Sequence, residues 1–192
     1  MDQPLFNDRS TPLSLTLTRR SGKARDMVEP GPTPAELDTI LAGASRVPDH
    51  GKLAPWRFVV ITDRAAFCAL LERLYRTDKP APGRLELEAL ASFARQAPTL
   101  VALISAPRES HIPRWEQELS TGAAAQSLLM AAHAMGFAGN WLTGVPAYLP
   151  GIADELGVPG GRVAGYFFLG TASRPLEERP RPIASDIVSR WP

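Results

Sequence analysis

The chain has 192 residues, 44% of them hydrophobic and 21% charged, proportions that let one compact domain spanning residues 1–192 bury a sizeable core without a separate module. Twenty-one Lys and Arg against 20 Asp and Glu leave a net charge of +1, which argues against a nucleic-acid or membrane-surface partner. A lone Cys68 excludes an intrachain disulfide, and three histidines without a Cys-x-x-Cys supply no structural zinc site. The N-terminal Met1–Asp8 has no basic stretch followed by an apolar run, so no secretory signal is read there and the cytoplasm is the expected compartment.

In chain order, Leu13-Ser-Leu-Thr-Leu-Thr alternates apolar and polar residues as a strand does, whereas Thr11-Pro12 in front of it has the form of a helix N-cap with proline in the first turn. These residues leave both readings open. Thr33-Pro-Ala-Glu36 is a capping box, and Leu37, Ile40, Leu41 and Ala44 follow at helical spacing. Trp56 to Thr62 reads as a strand. Asp63 caps a helix striped by Phe67, Leu70, Leu71 and Leu74; Pro80 to Gly83 breaks it from another carrying Leu87, Leu90 and Ala94, and Thr99 to Ser105 is a second strand. A long helix starts near Arg114, with Glu116 and Glu118 early where carboxylates suit the dipole, and stops at Gly136.

That helix is small and apolar almost all round, which places it at the centre of a fold or in a subunit interface. Leu119 to Ala153 carries no Asp, Glu, Lys or Arg and is long enough to span a bilayer, but Gln126, His133, Asn140, Pro146 and Pro150 and its modest hydropathy make it protein interior instead. A short helix near Ile152 to Leu156, a strand from Val163 to Leu169 and a tail rich in Pro and Arg complete the chain. Helices outnumber short strands, an α+β arrangement with helices covering a sheet. His133 reads as a satisfied core or interface histidine, and Cys68 as a buried, inert thiol.

Catalytic signatures such as Gly-x-Ser-x-Gly, His-Glu-x-x-His, a Walker loop or Gly-x-Gly-x-x-Gly are absent. If the chain is an enzyme, a cofactor carries the difficult chemistry. Four constellations remain. Arg19-Arg20-Ser21, followed by Lys23 and Arg25, combines planar guanidinium forks with a hydroxyl, a plausible phosphate grip, although basic residues at a helix end also simply complement its dipole. Arg46-Val-Pro-Asp-His50 is a rigid loop presenting Arg and His. Gly139-Asn-Trp141-Leu142-Thr143-Gly144 lets backbone N–H groups approach a ligand, or is an ordinary strand and turn. Arg179-Pro-Arg181-Pro holds two cations at a stiff spacing, or is a solvated arm.

In this order, and together with Pro34-x-x-Leu37-x-x-Ile40-Leu41, Pro55-Trp56-x-Phe58-Val59-Val60, Pro113-Arg114-Trp115-Glu116-Gln117-Glu118, Gly136-Phe137 and Gly165-Tyr166-Phe167-x-Leu169-Gly170, the set resembles the nitroreductase family, especially its short bacterial members, from about Leu13 to Pro182. The resemblance implies a three-layer fold with a mostly antiparallel central sheet between helices, a homodimer with FMN at the subunit interface, and a C-terminal tail extending onto the partner. It also makes the first segment a helix. It implies that Arg19 and Ser21 hold the FMN phosphate and ribityl end with Arg20 beside them, that Arg46 is a second cofactor contact, and that His50 reaches the flavin held mainly by the partner. Trp141, Leu142 and Thr143 would lie against the isoalloxazine ring, and Arg179 and Arg181 would complete the phosphate site. The implied activity is reduction of FMN by NADH or NADPH followed by reduction of a nitroaromatic, quinone or similar acceptor. Relatives with other flavin chemistry, dehalogenation or flavin fragmentation, and a non-catalytic flavin-binding protein are the alternatives.

Overall fold

A computed structural model describes residues 5–192; Met1 to Pro4, part of the stretch read for a secretory signal, lie outside the described residues. Helix α1 spans Pro12–Thr18, with the Thr11 hydroxyl accepting from the Ser14 N–H at 2.9 Å and proline in the first turn. The cap thus prevails over the alternation. In a helix, residues two apart lie on opposite sides, so Leu15 is buried while Leu13 and Leu17, four apart, share the outer face and stay exposed.

The remaining elements are β1 (Met27–Val28), α2 (Pro34–Ala44), β2 (Trp56–Val60), α3 (Arg64–Asp78), α4 (Arg84–Arg95), β3 (Thr99–Ser105), α5 (Arg114–Ala134), β4 (Ala138–Leu142), α6 (Ile152–Glu155), β5 (Arg162–Ala172) and α7 (Ala184–Ile187). The Thr33–Glu36 capping box starts α2, and the Asp63 carboxylate accepts from the Ala66 N–H to start α3. Strand β2 ends two residues earlier than its pattern predicts; Ile61 still donates to the Leu100 carbonyl at 2.9 Å before Asp63 commits the backbone to a helix. All strand pairings are antiparallel. The long β5 pairs β3 on one side and β4 on the other, its last residues pair β1, and β2 lies beyond β3.

Side chains of β3 and β5 alternate between two cores, as the pleat requires. Ala102, Ile104, Tyr166 and Phe168 face Phe67, Leu71 and Leu74 of α3 and Ala94 of α4. Val101, Leu103, Phe167 and Leu169 face Leu37 and Ile40 of α2 and Ala125, Leu128 and Ala132 of α5. The result is helices, sheet, helices. It explains why β3 and β5 read as continuous apolar runs: both faces are covered. Cys68 is half-buried on α3 rather than buried, because α3 covers the sheet with its Phe67–Leu71–Leu74 stripe and Cys68 lies beside that line. The charge-free stretch breaks into the rest of α5, β4 and short turns, and among the described residues no helix is long and apolar enough to cross a membrane.

Candidate functional site

Helix α1 stops at Thr18, and the extended backbone of Arg19 turns the next three residues along its end. The Arg19 guanidinium, half-buried, has Nη1 3.2 Å from the Ser21 hydroxyl oxygen, to which it donates. The tail returns to the same place: Arg181 donates from Nη2 to the Arg19 carbonyl at 3.4 Å. Burial, then the charges of Arg181, Arg179 and Arg20, lower the pKa of Arg19. Arg20 points toward the tail and donates from Nε to the Glu177 carbonyl, and Lys23 donates to the Glu177 carboxylate at 3.0 Å. Arg19, Arg20, Ser21, Arg179 and Arg181 are therefore gathered at one spot, with Lys23 and the Glu177–Glu178 pair added to them. No local signal marks Glu177, since its partners Arg20 and Lys23 are 157 and 154 residues away.

Strand β4 lies against this end of the fold. Asn140 donates to the Gly22 carbonyl, which fixes the Gly139–Gly144 segment beside the arginine cluster. Trp141 stacks on Phe167, ring centroids 5.5 Å apart and planes at 26°, and its Nε1 donates to the Ala164 carbonyl at 3.0 Å. The indole crosses β5 over Gly165, where an added Cβ would sit 1.9 Å from Nε1. Gly165→Ala is expected to lift the indole off β5 and cost about 1–3 kcal/mol by overpacking, with a loss much smaller when Trp141 is also replaced by leucine. Denaturant unfolding of the three variants checks this, and additive losses would count against it. Beyond Trp141, Leu142 and Thr143 are half-buried, and Gly144 turns the chain with φ +59°.

His50 sits elsewhere, and among the described residues no contact joins Arg46 to the cluster. Arg46 is exposed after α2. The following loop is heavily braced: the Asp49 carboxylate accepts from the Leu53 and Ala54 N–H groups at 3.1 and 2.8 Å, Ser120 donates to the Pro48 carbonyl at 2.6 Å, and Thr121 donates to the Pro55 carbonyl at 3.2 Å. Gly51, Lys52 and Ala54 are in left-handed conformations, strain that the bracing sustains. The loop holds His50 outward, with Nδ1 2.8 Å from the Glu116 carboxylate. Glu116 thus has a partner as well as a place in the first turn of α5. His133, near Arg19, is at the other end of that helix. Glu116 and His133 are roughly 25 Å apart along α5, so within one chain His50 and the arginine cluster lie at opposite ends.

His133 is buried with Nδ1 3.1 Å from the Phe137 carbonyl, while Nε2 has no hydrogen-bond partner among the described residues. The sequence reading of a satisfied histidine is therefore half right: helix α5 and β4 close over the ring and leave one nitrogen unpaired. Burial, with a smaller contribution from Arg19, lowers its pKa to about 4.

The nitroreductase family model matches residues 17–171, from the end of α1 through β5. The chain belongs to the nitroreductase family. This nitroreductase is 35% identical over 163 residues to a protein of Escherichia coli provisionally named NAD(P)H nitroreductase YdjA, covering 83% of this chain and 87% of that one. It is 31% identical over 186 residues to a similarly named protein of Haemophilus influenzae, covering 92% and 97%. The fold of a nitroreductase with bound FMN from Bacteroides fragilis superimposes with a TM-score of 0.68 at 19% identity, over 94% of this chain and 98% of that one.

Proposed function

We propose that this nitroreductase is an FMN-dependent oxidoreductase that takes electrons from NADH or NADPH and delivers them to a nitroaromatic, a quinone or a similar electron-poor acceptor. The observation that carries the reading is the cradle of Arg19, Ser21, Arg179 and Arg181 beside β4. Its central guanidinium is half-buried and hydrogen-bonded to a hydroxyl, with other cations crowding it. A phosphate dianion relieves that crowding and takes several donors at once. The donor set therefore fits a phosphomonoester, and the FMN bound by the Bacteroides fragilis nitroreductase supports FMN as that group.

Within that reading Arg19, Arg181 and the Ser21 hydroxyl hold the phosphate and Arg179 adds charge. Arg20, whose Nε is committed to the tail, holds the arm in place. Trp141, Leu142 and Thr143 form a wall beside the cradle, and among the described residues β4 pairs with β5 alone, which leaves its other edge to offer backbone N–H groups to the flavin. FMN supplies hydride acceptance and donation, which no side chain of this chain provides. The protein's share is to bind, orient and keep water away.

The site is completed by a second copy. His50 stands most of the length of α5 from the cradle, and two copies packed antiparallel along this helix bring each His50 to the partner's cradle, with Arg46 exposed between the two ends. The outward faces of α1 and α5 expose Leu13, Leu17, Trp115 and Leu119, apolar area of the kind that an obligate interface covers. The tail, with Ile183, Ile187 and Trp191 exposed, extends onto the partner.

Anaerobic mixing of FMN-loaded protein with NADH or NADPH is expected to bleach the flavin, and a nitroarene or quinone to restore its colour. Bound flavin that neither nucleotide bleaches would reject the enzyme and leave a flavin-binding protein.

A further inference from the structure

The acidic pair of the tail is divided in its contacts. Glu177 ties the tail down: its carbonyl accepts from Arg20 Nε and its carboxylate from Lys23 Nζ at 3.0 Å. Glu178 faces mainly the tail's own cations. Its Oε1 accepts from the Arg179 backbone N–H at 2.8 Å and from Arg181 Nη2 at 3.0 Å, and lies 3.9 Å from Arg20 Nε. One carboxylate oxygen thus sits where a backbone N–H and two guanidinium groups converge, next to the Arg19 guanidinium. Hydrogen bonding to the Arg179 N–H and then to Arg181 holds the Glu178 carboxyl below its usual pKa, as expected of a group among cations. Its side chain is 55% exposed, so it can leave without unpacking the core.

We propose that Glu178 is an internal stand-in for the cofactor phosphate, occupying Arg181 and the Arg179 N–H until a phosphomonoester displaces it. This rests on the FMN reading above and names a residue that sets how strongly the site favours a phosphorylated flavin over an unphosphorylated one. A dianion brings more charge than a carboxylate and reaches Arg19 and Ser21 as well, so it wins the exchange. Riboflavin, with a hydroxyl in place of the phosphate, leaves Glu178 where it is. While no phosphate is bound, the carboxylate keeps Arg179 and Arg181 from repelling Arg19 and throwing off the tail. The two glutamates therefore have opposite effects: Glu178 competes with the ligand, whereas Glu177 helps to assemble the site.

Quenching of flavin fluorescence on binding gives the dissociation constants of FMN and riboflavin for the wild-type dimer, Glu178→Gln and Glu177→Gln. Glu178→Gln is expected to bind FMN roughly two- to fivefold more tightly, the range of an exposed ion pair, with riboflavin unchanged; Glu177→Gln is expected to bind FMN more weakly. FMN affinity that is unchanged or weaker in Glu178→Gln overturns the inference, and so does an equal gain for riboflavin, which would place the effect away from the phosphate. A wild-type chain that binds no FMN overturns the functional reading and this inference together, while wild-type binding of FMN that Glu178→Gln leaves unaltered overturns this inference alone.

Discussion

Arg19→Ala is expected to weaken FMN binding by about 1.5–3 kcal/mol, the worth of a charge-assisted hydrogen bond to phosphate, or roughly 10- to 150-fold in the dissociation constant. The size follows from where the guanidinium sits. It is half-buried, bonded to the Ser21 hydroxyl, and its own pKa is lowered by burial and by Arg181 and Arg179. An anion there is better placed than at an exposed lysine, because the surrounding cations gain from it too. Arg19→Lys is expected to recover only part of the loss, since an ammonium group has no planar fork. Riboflavin separates a phosphate effect from a collapse of the site: its binding should be almost the same in wild type and Arg19→Ala. Loss of riboflavin and FMN binding in the same proportion would show instead that Arg19 maintains the end of α1.

A second large effect is expected at His133. Its pKa falls from the usual 6.5 to about 4 on folding, mainly through burial, so the unfolded chain takes up the proton first. Stability from this group is complete above pH 6.5 and is lost as pH falls toward 4, by about 3 kcal/mol in all. Burial leaves Nε2 without a partner among the described residues, and Arg19 opposes the charge. Carboxylates such as Glu86, held at about 2 by Lys79, Gly83 and Tyr75, act mostly at lower pH. Denaturant unfolding between pH 7 and 4 should show His133→Leu losing about 3 kcal/mol less than the wild type; His133→Gln serves if the leucine variant does not fold. Parallel curves would mean that His133 is not held neutral by the fold.

Much of the fold is legible in local chemistry. The Thr33–Glu36 box and the Asp63 cap start helices where their residues say, and β3 spans the predicted residues. The first segment is not legible from periodicity, since Leu13, Leu15 and Leu17 look like one face of a strand, and only the Thr11 cap favours the helix. Strand β1 is two residues long and exists because β5 offers an edge, which no pattern in Met27–Val28 announces. The basic residues of the cradle are visible one by one. Their convergence is not, because Arg20 and Lys23 meet Glu177 across 157 and 154 residues of sequence. The pairing of His50 with Glu116 is hidden for the same reason, and the unpaired nitrogen of His133 depends on how β4 folds back over α5.

The central claim, an FMN site completed by two copies of this chain, is tested most directly by sedimentation of the FMN-saturated protein followed at the flavin absorbance. The expected result is that flavin travels with a species of two chains at one FMN per chain. Flavin that remains free, or that travels with a single chain, would contradict it.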